Sequence, residues 1–572
     1  MRPVHPLSLA GQHALEQGPR AWLHRADVEF LFAWTLLLPA ACGAEAEEQD
    51  ESTQTESSTG ESAKEEFRVR LEIEGLKGSG LRLRLGEDEF EIEQLGPPTP
   101  SFPERLQTGE AYAVELIAQP RWPSQSCVLE GSEGVVDGAD VSVGVSCVLD
   151  TPAGLDSTFG AEGIVIRDDL GGIEASPDVP FNLLLTPDEE LVVVGQALAP
   201  NEFDGVVWRL DADGGPALGF GEQGVQLFDN GAFETFAAAA LGADGSVYAV
   251  GRRFVPMAGA DLLVVHFLAD GSLDPMFGEG GWVLYDNLLG GCPDQIVADN
   301  AMDMVSTPAG LLITGGSVEP DCEDTDAFIV RIDPATGALD PSYAMEGVLR
   351  TQSPQESARA PNDTGVALAQ RADGRVWLAG LNTMPNTNDS ESALLWRVEA
   401  EGTLDPSFAS QQALLLSPDA SAHPWSVAAV AEGGAFVVGE QHADSTTLVV
   451  WRVSEEGLFV PGFGEDGRLY LTNAQRYISS RRVALDSQGR LVILGTRNNL
   501  ADDADLAVWR LLPDGAPDLS FGDEGLFVWD GGRRDVGYGL ALDSSDRALV
   551  SASTVDSEDD AQMLLLRVHG SP

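Results

Sequence analysis

Few side chains in this sequence combine the types and the spacing that acid–base catalysis requires. Beyond residue 42 the chain contains four histidines, His266, His423, His442 and His569. Glu440 and His442 closely follow a predicted strand, so they could exchange protons with a substrate at a loop face. A solvated loop that simply contains both residues is the alternative. The sequence shows no nucleophile elbow, phosphate-binding loop or HExxH motif, so it favours no catalytic class.

Aspartate-rich turns are the second chemical feature, because carboxylate oxygens are the ligands that calcium prefers. Residues 211–214 (DADG) and 502–505 (DDAD) form two such turns. Neither has the complete Asp-x-Asp-x-Asp-Gly…Glu spacing of a calcium loop, and tight hairpin turns also require Asp and Gly. We therefore expect no cofactor, with calcium as the alternative.

A basic residue recurs at one register of a sequence repeat. It is arginine in six copies and histidine in one: Arg209, His266, Arg331, Arg397, Arg452, Arg510 and Arg567. These seven ring residues could bind an anionic ligand. We expect instead a structural ring, in which a ring residue pairs with an aspartate of the following turn (Asp274, Asp340, Asp405 or Asp518). Arg209 and Arg452 need other partners, because Ala217 and Val460 stand where that aspartate would be.

The repeat itself is an LDxxFG core that occurs seven times with a mean spacing of about 60 residues. Its aromatic position is occupied by Phe159, Phe220, Phe277, Tyr343, Phe408, Phe463 and Phe521. Four strands are predicted in each repeat: a short strand after the motif, a strand of small residues such as FAAAAL (236–241), a strand that ends in glycine, and a strand such as VVWRL (206–210).

Four strands in each of seven repeats predict an all-β fold with a seven-bladed β-propeller over residues 151–572. Blades packed face to face bury both of their surfaces, which explains strands that are apolar on both sides. The small-residue strand should be innermost. The short strand 163–167 (GIVIR) then precedes the first complete blade, and we expect it to close the ring by pairing with the last blade. Seven self-contained blades are the alternative.

The motif resembles the delta-60 repeat, G-x-L-D-x-x-F-G-x-x-G, of exported proteins from myxobacteria and other bacteria. The clearest copies are GSLDPMFGEGG (271–281) and GLDSTFGAEG (154–163). Ala217 and Val460 replace the aspartate, Tyr343 replaces the phenylalanine, and Ala344 and Ala409 replace the glycine that follows it. The resemblance implies a propeller and leaves the activity open.

Residues 67–150 form a separate region of alternating apolar and polar residues, which predicts a small β-sandwich. Four cysteines outside the N-terminal segment fall in two local pairs, Cys127 with Cys147 and Cys292 with Cys322. We predict that both are disulfides, since neither has the spacing of a metal site. The stretch from Thr108 resembles Ig-like domains of bacterial lipoproteins, which implies that Cys127 and Cys147 join two strands and that the domain is a spacer or an adhesive module.

The N-terminal segment resembles a bacterial lipoprotein signal. An apolar run of nine residues (30–38, FLFAWTLLL) is too short to span a bilayer as a helix, and it is followed by small residues and Cys42. We expect residues 1–41 to be a signal peptide, Cys42 to be lipidated, and the acidic residues 42–66 to be a disordered tether. An ordinary cleaved secretory signal is the alternative.

The charge of the chain limits its partners. There are 33 Lys and Arg against 92 Asp and Glu, a formal net charge of -59, so nucleic acids and anionic lipid surfaces would be repelled. We expect a monomeric lipoprotein of the cell envelope, in the outer membrane, that touches the membrane only through its lipid anchor. The predicted role is a binding or scaffold module that engages a protein or a glycan through propeller loops. An enzyme of the hydrolase, lactonase or dehydrogenase type with a channel-facing site is the alternative.

Overall fold

The computed structural model describes residues 65–570, except 94, 96–98, 151–153, 173–176, 201, 291–296, 319–323, 352–361, 384–390, 410–411, 419, 443–445, 473–476, 502, 533 and 556–559. All helical or extended structure in these residues is β-strand, in nine sheets. The prediction of an all-β fold is therefore confirmed. Within the same residues, no helix is long and apolar enough to cross a bilayer.

Eight strands between residues 66 and 149 form two four-stranded sheets, ordered β4-β1-β8-β6 and β3-β2-β5-β7. The strands are β1 (Glu66–Glu74), β2 (Arg82–Leu85), β3 (Asp88–Glu91), β4 (Ser101–Gln107), β5 (Ala111–Ala118), β6 (Gln125–Glu130), β7 (Glu133–Val135) and β8 (Val141–Leu149). Both sheets contribute to one core, with Val69 and Val143 from the first and Leu83 from the second. Cys127 and Cys147 lie opposite each other on β6 and β8 and form the predicted disulfide.

The rest of the chain begins with β9 (Ile164–Arg167) and continues with sheets that we number 1 to 7. Sheet 1 contains β10 (Asp178–Leu185), β11 (Leu191–Leu198), β12 (Phe203–Leu210) and β13 (Val225–Phe228). Sheet 2 contains β14 (Phe233–Leu241), β15 (Val247–Val255), β16 (Gly259–Phe267) and β17 (Trp282–Tyr285), with β18 (Val297–Ala298) beside β16. Sheet 3 contains β19 (Asn300–Thr307), β20 (Gly310–Val318), β21 (Thr325–Ile332) and β22 (Val348–Thr351).

The remaining sheets repeat this order. Sheet 4 contains β23 (Asn362–Gln370), β24 (Val376–Thr383), β25 (Glu391–Val398) and β26 (Ala413–Leu415). Sheet 5 contains β27 (Ser421–Ala429), β28 (Ala435–His442), β29 (Thr446–Val453) and β30 (Arg468–Leu471). Sheet 6 contains β31 (Ile478–Leu485), β32 (Leu491–Asn498), β33 (Ala504–Leu511) and β34 (Leu526–Trp529). Sheet 7 contains β35 (Asp535–Leu542), β36 (Ala548–Val555), β37 (Ala561–Val568) and, as its fourth strand, β9.

The sheets are arranged in a ring. The first strand of each sheet contacts the first strand of the next, and β35 of sheet 7 contacts β10 of sheet 1. The second and third strands are buried on both faces, because neighbouring sheets cover each other. β9 pairs antiparallel with β37, from Ile164 opposite Leu566 to Arg167 opposite Met563. The predicted closure by residues 163–167 is thus confirmed.

The ring has two different ends. We call one the turn end; it contains the tight turns between first and second strands and the LDxxFG turns. The opposite end, with the second-to-third strand hairpins and the connections to the next sheet, is the loop end. The motif glycine is needed for its backbone: Gly221 has φ +50, and a Cβ there would lie 2.1 Å from the Val225 oxygen. Ala344 and Ala409 adopt the same left-handed conformation at φ 46 and 51.

The N-terminal sheets pack against the edge of sheet 6. Leu500, from the hairpin between β32 and β33, joins the core of the N-terminal region. Lys77 Nζ lies 2.9 Å from Asp530 Oδ1, and Arg121 forms an ion pair with Asp523. This interface therefore combines a buried apolar side chain with ion pairs made by Lys77 and Arg121.

Candidate functional site

A β-bulge interrupts the first strand of every sheet in the ring and selects the side chains that reach its interior. One residue in each of these described strands has no partner on the second strand: Phe181, Ala237, Met302, Val366, Trp425, Arg481 and Tyr538. An extra residue of this kind turns its side chain out of the regular alternation. The aromatic and basic members belong to sheets 5, 6, 7 and 1, which are consecutive around the ring. We call Phe181, Trp425, Arg481 and Tyr538 the channel cluster.

Contacts within the channel cluster link these sheets. The rings of Phe181 and Tyr538 meet edge to face with centroids 5.5 Å apart. The Arg481 guanidinium lies 4.0 Å from the centroid of the Trp425 ring, a cation–π distance. Arg482 of sheet 6 donates a hydrogen bond to the carbonyl oxygen of Phe181 in sheet 1, reaching past sheet 7. All four cluster side chains remain partly exposed, so they form an accessible surface inside the ring.

Glu440 lies beneath Trp425 and is almost completely buried. Its Oε1 accepts a hydrogen bond of 2.8 Å from Trp425 Nε1. Burial raises the pKa of the Glu440 carboxyl, while the charges of Arg481, His423 and His442 act in the opposite direction. The indole is therefore fixed in orientation by a buried acid, and its ring also packs against the imidazole of His423, with centroids 4.1 Å apart.

A second carboxylate completes an acid–base group, by which we mean Glu391, His423, Glu440 and His442. His423 lies directly opposite Glu440 in the pairing of β27 with β28. Its Nδ1 is 3.2 Å from Oε2 of Glu391, which belongs to sheet 4. His442 Nε2 lies 4.0 Å from the same oxygen. The group thus joins two glutamates and two histidines across a junction between sheets, which is chemistry suited to proton transfer or to hydrogen bonding with hydroxyl groups.

The sequence indicated only part of this site. Glu440 and His442 were predicted just after a strand; the structure places both at the end of β28 itself. His423 and Glu391 come from other strands and were not associated with them. A signal was nevertheless present, since β27 reads SAHPWSVAA where the corresponding strands elsewhere contain mainly small residues. A tryptophan and a histidine in an innermost strand need a reason beyond packing.

The ring residues lie at the turn end, near the end of each third strand. Four arginines contact the aspartate of an LDxxFG turn with Nε–Oδ2 distances of 2.8 to 2.9 Å: Arg331 with Asp340, Arg397 with Asp405, Arg510 with Asp518 and Arg567 with Asp156. The last pair joins residues 411 positions apart and strengthens the closure of the ring. These arginines also lie over the aromatic ring of their motif, as Arg510 does over Phe521 at 4.6 Å.

Of the other three ring residues, His266 also contacts its predicted turn aspartate, while Arg209 and Arg452 use different partners. His266 Nδ1 is 3.1 Å from Asp274 Oδ2, and its ring stacks on Tyr248 at 4.0 Å. Arg209 pairs with Glu190, with Nε 2.8 Å from Oε2. Arg452 donates to backbone carbonyl oxygens, including that of Val453 at 2.6 Å. The structure therefore supplies local partners for all seven.

The carboxyls of the turn end are held in their ionised form. Burial alone would raise the pKa of Asp156, but hydrogen bonds from Thr158 and the charges of Arg567 and Arg547 lower it to about 2. Arg547 is a second arginine on this aspartate, with Nη1 2.8 Å from Oδ2, and Arg490 contacts Asp518 in the same way at 3.0 Å. The sequence analysis missed both.

The carboxyls of the loop end show the opposite behaviour. Burial, together with the neighbouring charges of Asp530 and Asp535, raises the pKa of Asp505 to about 9. Burial is also the main cause that raises the pKa of Asp535 to about 8 and that of Glu234 to about 8. Residues 211–214, by contrast, form a turn closed by the hydrogen bond from Gly214 N to Asp211 O.

Several predicted residues lie outside the described part of the chain, namely Cys42, Cys292 and Cys322.

A cavity of about 640 Å³ opens at the turn end between sheets 1, 2 and 3. Its walls consist of turn residues such as Thr186, Leu241 and Thr307, and none of its lining residues is charged. The channel cluster and the acid–base group are therefore the stronger candidate site.

Comparison with known proteins bears on the fold. Residues 487–521 match the family model described as "Domain of unknown function (DUF5122) beta-propeller". The fold is a β-propeller. The matched segment runs from the turn between β31 and β32 through the ring residue Arg510 to the aromatic residue of the last motif copy. A search of curated proteins found no match.

Solved structures with a similar arrangement are distant. An ulvan lyase, described as a new family of polysaccharide lyase, has a TM-score of 0.39 and 10% identity, with 74% of this chain and 95% of that chain covered. Drosophila Semaphorin 1a gives 0.39 and 10%, with 72% and 89% covered. The sialidase of Trypanosoma rangeli gives 0.31 and 11%, with 59% and 56% covered. At these TM-scores the likenesses carry no argument about what this chain binds.

Proposed function

We propose that this protein is a lipoprotein of the cell envelope whose β-propeller binds a glycan at the channel cluster. In this proposal residues 1–41 are the signal peptide, Cys42 carries the lipid, and residues 42–66 form the tether. Residues 67–150 are a small Ig-like sandwich that acts as a spacer, and residues 151–572 are a seven-bladed propeller of delta-60 repeats. Seven consecutive sheets with contacting first strands support that blade number.

The observation that carries the proposal is the partly exposed aromatic cluster beside buried acids. The apolar faces of sugar rings pack on aromatic side chains, while their hydroxyl groups need donors and acceptors at the edge of the ring. Tyr538 and Phe181 provide such aromatic surface, and the Trp425 ring carries Arg481 beside it as a donor. Proteins rarely leave several large aromatics accessible within one cluster unless a ligand uses them.

The charge of the protein narrows the class of glycan. A formal net charge of -59 repels polyanions at long range. Arg481 and Arg482 are local cations, but each has an acid near it. Glu440 interacts electrostatically with Arg481, and Asp303 with Arg482. We therefore propose a neutral or weakly charged glycan.

The test is direct binding. Full-length protein is screened on an array of neutral polysaccharides, and the best oligosaccharide is then titrated by calorimetry. Trp425→Ala should weaken binding about 10-fold or more, because a stacked aromatic at the centre of a site contributes more than about 1 kcal/mol. Tyr470→Ala, on the fourth strand of the same sheet, is the matched control and should bind normally. Absence of any glycan ligand, or equal affinities of the two variants, would contradict the proposal.

Catalysis on the same glycan is the second candidate, and the acid–base group favours it. Glu440 has a raised pKa and Glu391 is a second buried carboxyl, and most glycoside hydrolases act through two carboxyl groups. Glu440→Gln keeps the hydrogen bond from Trp425 but removes the proton donor. Release of new sugar ends by the wild type, lost in this variant while its affinity persists, would establish an enzyme. Binding without turnover by the wild type would establish a binding module.

A further inference from the structure

The repeat places acidic residues around the junctions between neighbouring sheets, at the loop end. Three positions contribute: near the start of the third strand, directly after the fourth strand, and near the start of the next sheet's first strand. We call the three acids of one junction a junction triad. Triads occur between sheets 1 and 2 (Asp204, Asp229, Glu234), between sheets 2 and 3 (Asp261, Asp286, Asp299), between sheets 6 and 7 (Asp505, Asp530, Asp535) and between sheets 7 and 1 (Asp560, Asp168, Asp178).

The triad between sheets 6 and 7 is buried and incompletely bonded. One oxygen from each of Asp505, Asp530 and Asp535 lies within 4.8 Å of the others. Asp505 Oδ1 accepts from Asn499 Nδ2 at 3.0 Å, and Asp535 Oδ2 accepts from Gly531 N at 2.7 Å. The second oxygen of each of the three carboxylates is buried and has no hydrogen-bond partner among the described residues.

Lys77 balances only part of this charge. Its Nζ lies 2.9 Å from Asp530 Oδ1 and 3.4 Å from Asp503 Oδ2. Arg497 lies opposite Asp505 in the pairing of β32 with β33, and its charge lowers the pKa of that carboxyl. Four acids thus face two cationic side chains, and neither cation is hydrogen-bonded to the open oxygens. Buried carboxylates that lack such partners are costly unless an ion coordinates them.

The junction between sheets 1 and 2 repeats the arrangement, with Arg253 as its cation: Arg253 Nε lies 3.9 Å from Glu234 Oε1. Oxygens of Glu202, Asp204 and Asp229 lie within 4.8 Å of one another. Asp229 Oδ1 accepts from Gly231 N at 2.7 Å, as Asp530 Oδ1 does from Gly532 N at the same distance. Both oxygens of Glu234 and one of Asp204 are buried without a hydrogen-bond partner.

The other junctions show how the same positions are satisfied without an ion. Between sheets 2 and 3, Asp299 accepts hydrogen bonds from the backbone nitrogens of Asn287 and Leu288. Between sheets 3 and 4, Arg350 forms an ion pair with Asp326. Within the described residues, three acidic groups come within 4.8 Å only at the 1/2 and 6/7 junctions.

We propose that each of these two junctions binds one Ca²⁺ ion, held by Asp505, Asp530 and Asp535 at one and by Glu202, Asp204 and Asp229 at the other. All ligands are carboxylate oxygens, which suit hard cations. Two oxygens on one Ca²⁺ ion, at about 2.4 Å each, can be up to about 4.8 Å apart. Mg²⁺ needs shorter bonds in a stricter octahedral geometry, so Ca²⁺ is the better match.

The ion at the 6/7 junction would join neighbouring sheets, because Asp505 and Asp530 belong to sheet 6 and its edge and Asp535 begins the first strand of sheet 7. At the 1/2 junction the three ligands all belong to sheet 1 and the loops beside it. At the 6/7 junction the site also adjoins Lys77, which belongs to the N-terminal region, so an ion there stabilises the side of the ring on which that region packs. This inference stands whether or not the channel cluster binds a glycan.

The test uses full-length protein stripped with a chelator and titrated with CaCl₂. We expect two bound ions per chain, and an increase in thermal midpoint of about 3–6 °C at saturating Ca²⁺. Asp505→Asn and Asp204→Asn, which keep the side-chain shape, should each lose one ion, and the double variant should lose both. Asp261→Asn, at the junction where backbone nitrogens satisfy the acid, is the matched control and should retain two.

Three results would overturn the proposal. The first is stripped wild-type protein that binds no Ca²⁺ and shows no change in thermal midpoint, a result that needs no variant. The second is loss of an ion in Asp261→Asn but in neither Asp505→Asn nor Asp204→Asn. The third is tighter binding of Mg²⁺ than of Ca²⁺, measured in the same titration.

Discussion

The turn end and the loop end of the ring treat buried charge in opposite ways. At the turn end, Asp156 contacts two arginines, and its pKa falls to about 2. At the loop end, Asp178 has one oxygen without a hydrogen-bond partner, and its pKa rises to about 7. Both residues are at most 3% exposed, so burial alone does not explain the difference. The difference lies in whether the repeat supplies hydrogen-bond donors and cations within reach, as Thr158 and two arginines do for Asp156.

This contrast separates the part of the repeat that holds the ring together from the part that is open to other roles. An Arg–Asp pair with a motif aromatic recurs in four sheets at the turn end and needs no further ligand. The loop end contains the acid–base group, the junction triads and the longest connections. Function is therefore expected where the charges are least satisfied.

The largest effect should come from breaking a turn-end pair. Asp156→Ala leaves Arg567 and Arg547 without their shared carboxylate, and it weakens the contact between the first motif and the last sheet. We expect a loss of about 3–5 kcal/mol in the free energy of unfolding, measured by urea titration. Asp213→Ala, an exposed turn aspartate, should change it by less than about 0.5 kcal/mol. Equal effects would remove the distinction between paired and unpaired acids.

A pH titration tests the loop end. Burial, with the charges of Asp560, Asp169 and Asp168, raises the pKa of Asp178 to about 7. The folded state then keeps a proton that the unfolded state loses above about pH 4, so this residue lowers stability progressively as the pH rises from about 4 to 7. Asp178→Asn should remove that slope and be up to about 4 kcal/mol more stable at pH 8.

The measurement is the free energy of unfolding at pH 5 and at pH 8, with Asp188→Asn, an exposed turn residue, as the control. The wild type and the control should lose stability between these two values, while Asp178→Asn should lose less, by the contribution of this one carboxyl. A variant that loses as much as the control would show that Asp178 has an ordinary pKa.

The smallest effect is expected at a ring residue that has no acid. Arg452 bonds only backbone carbonyl oxygens and lies over Phe436 at 4.7 Å. Arg452→Met should therefore cost about 1 kcal/mol, since no buried carboxylate is left behind. Arg397→Met leaves the buried carboxylate of Asp405 without its arginine, so it should lower the free energy of unfolding several times more. Similar losses in thermal midpoint for the two variants would show that the aromatic contact, rather than the ion pair, stabilises the turn end.

The turn end was largely predictable because its contacts are local and periodic. Arg331 and Asp340 are nine residues apart in one repeat, so a single register in the sequence indicates their contact. The pairing of residues 163–167 with the last sheet was predicted from the same repeat, because the small-residue strand comes first in each sheet. Arg490 and Arg547 were missed because they come from turns that vary between repeats, and they reach a motif aspartate only after the sheet has formed.

The loop end was predictable only in fragments. The DDAD turn at 502–505 did suggest a cation, but the partners of Asp505 lie 25 and 30 residues later, after β34 and at the start of β35. Trp425 and Arg481 meet because each is the bulged residue of a different first strand. A single sequence does not reveal where a bulge falls, since its hydrophobic pattern differs from that of a regular strand by one position.

The strand that closes the ring also sets the mechanical path through the molecule. Tension applied to the chain from the N-terminal region enters the ring at β9, which is held to β37 by four residue pairs. Every other sheet is built from one continuous stretch of chain, so none of them receives that load directly. Stretching a single molecule should therefore separate β9 from β37 first. The Arg567–Asp156 ion pair beside these strands should raise the force that is needed.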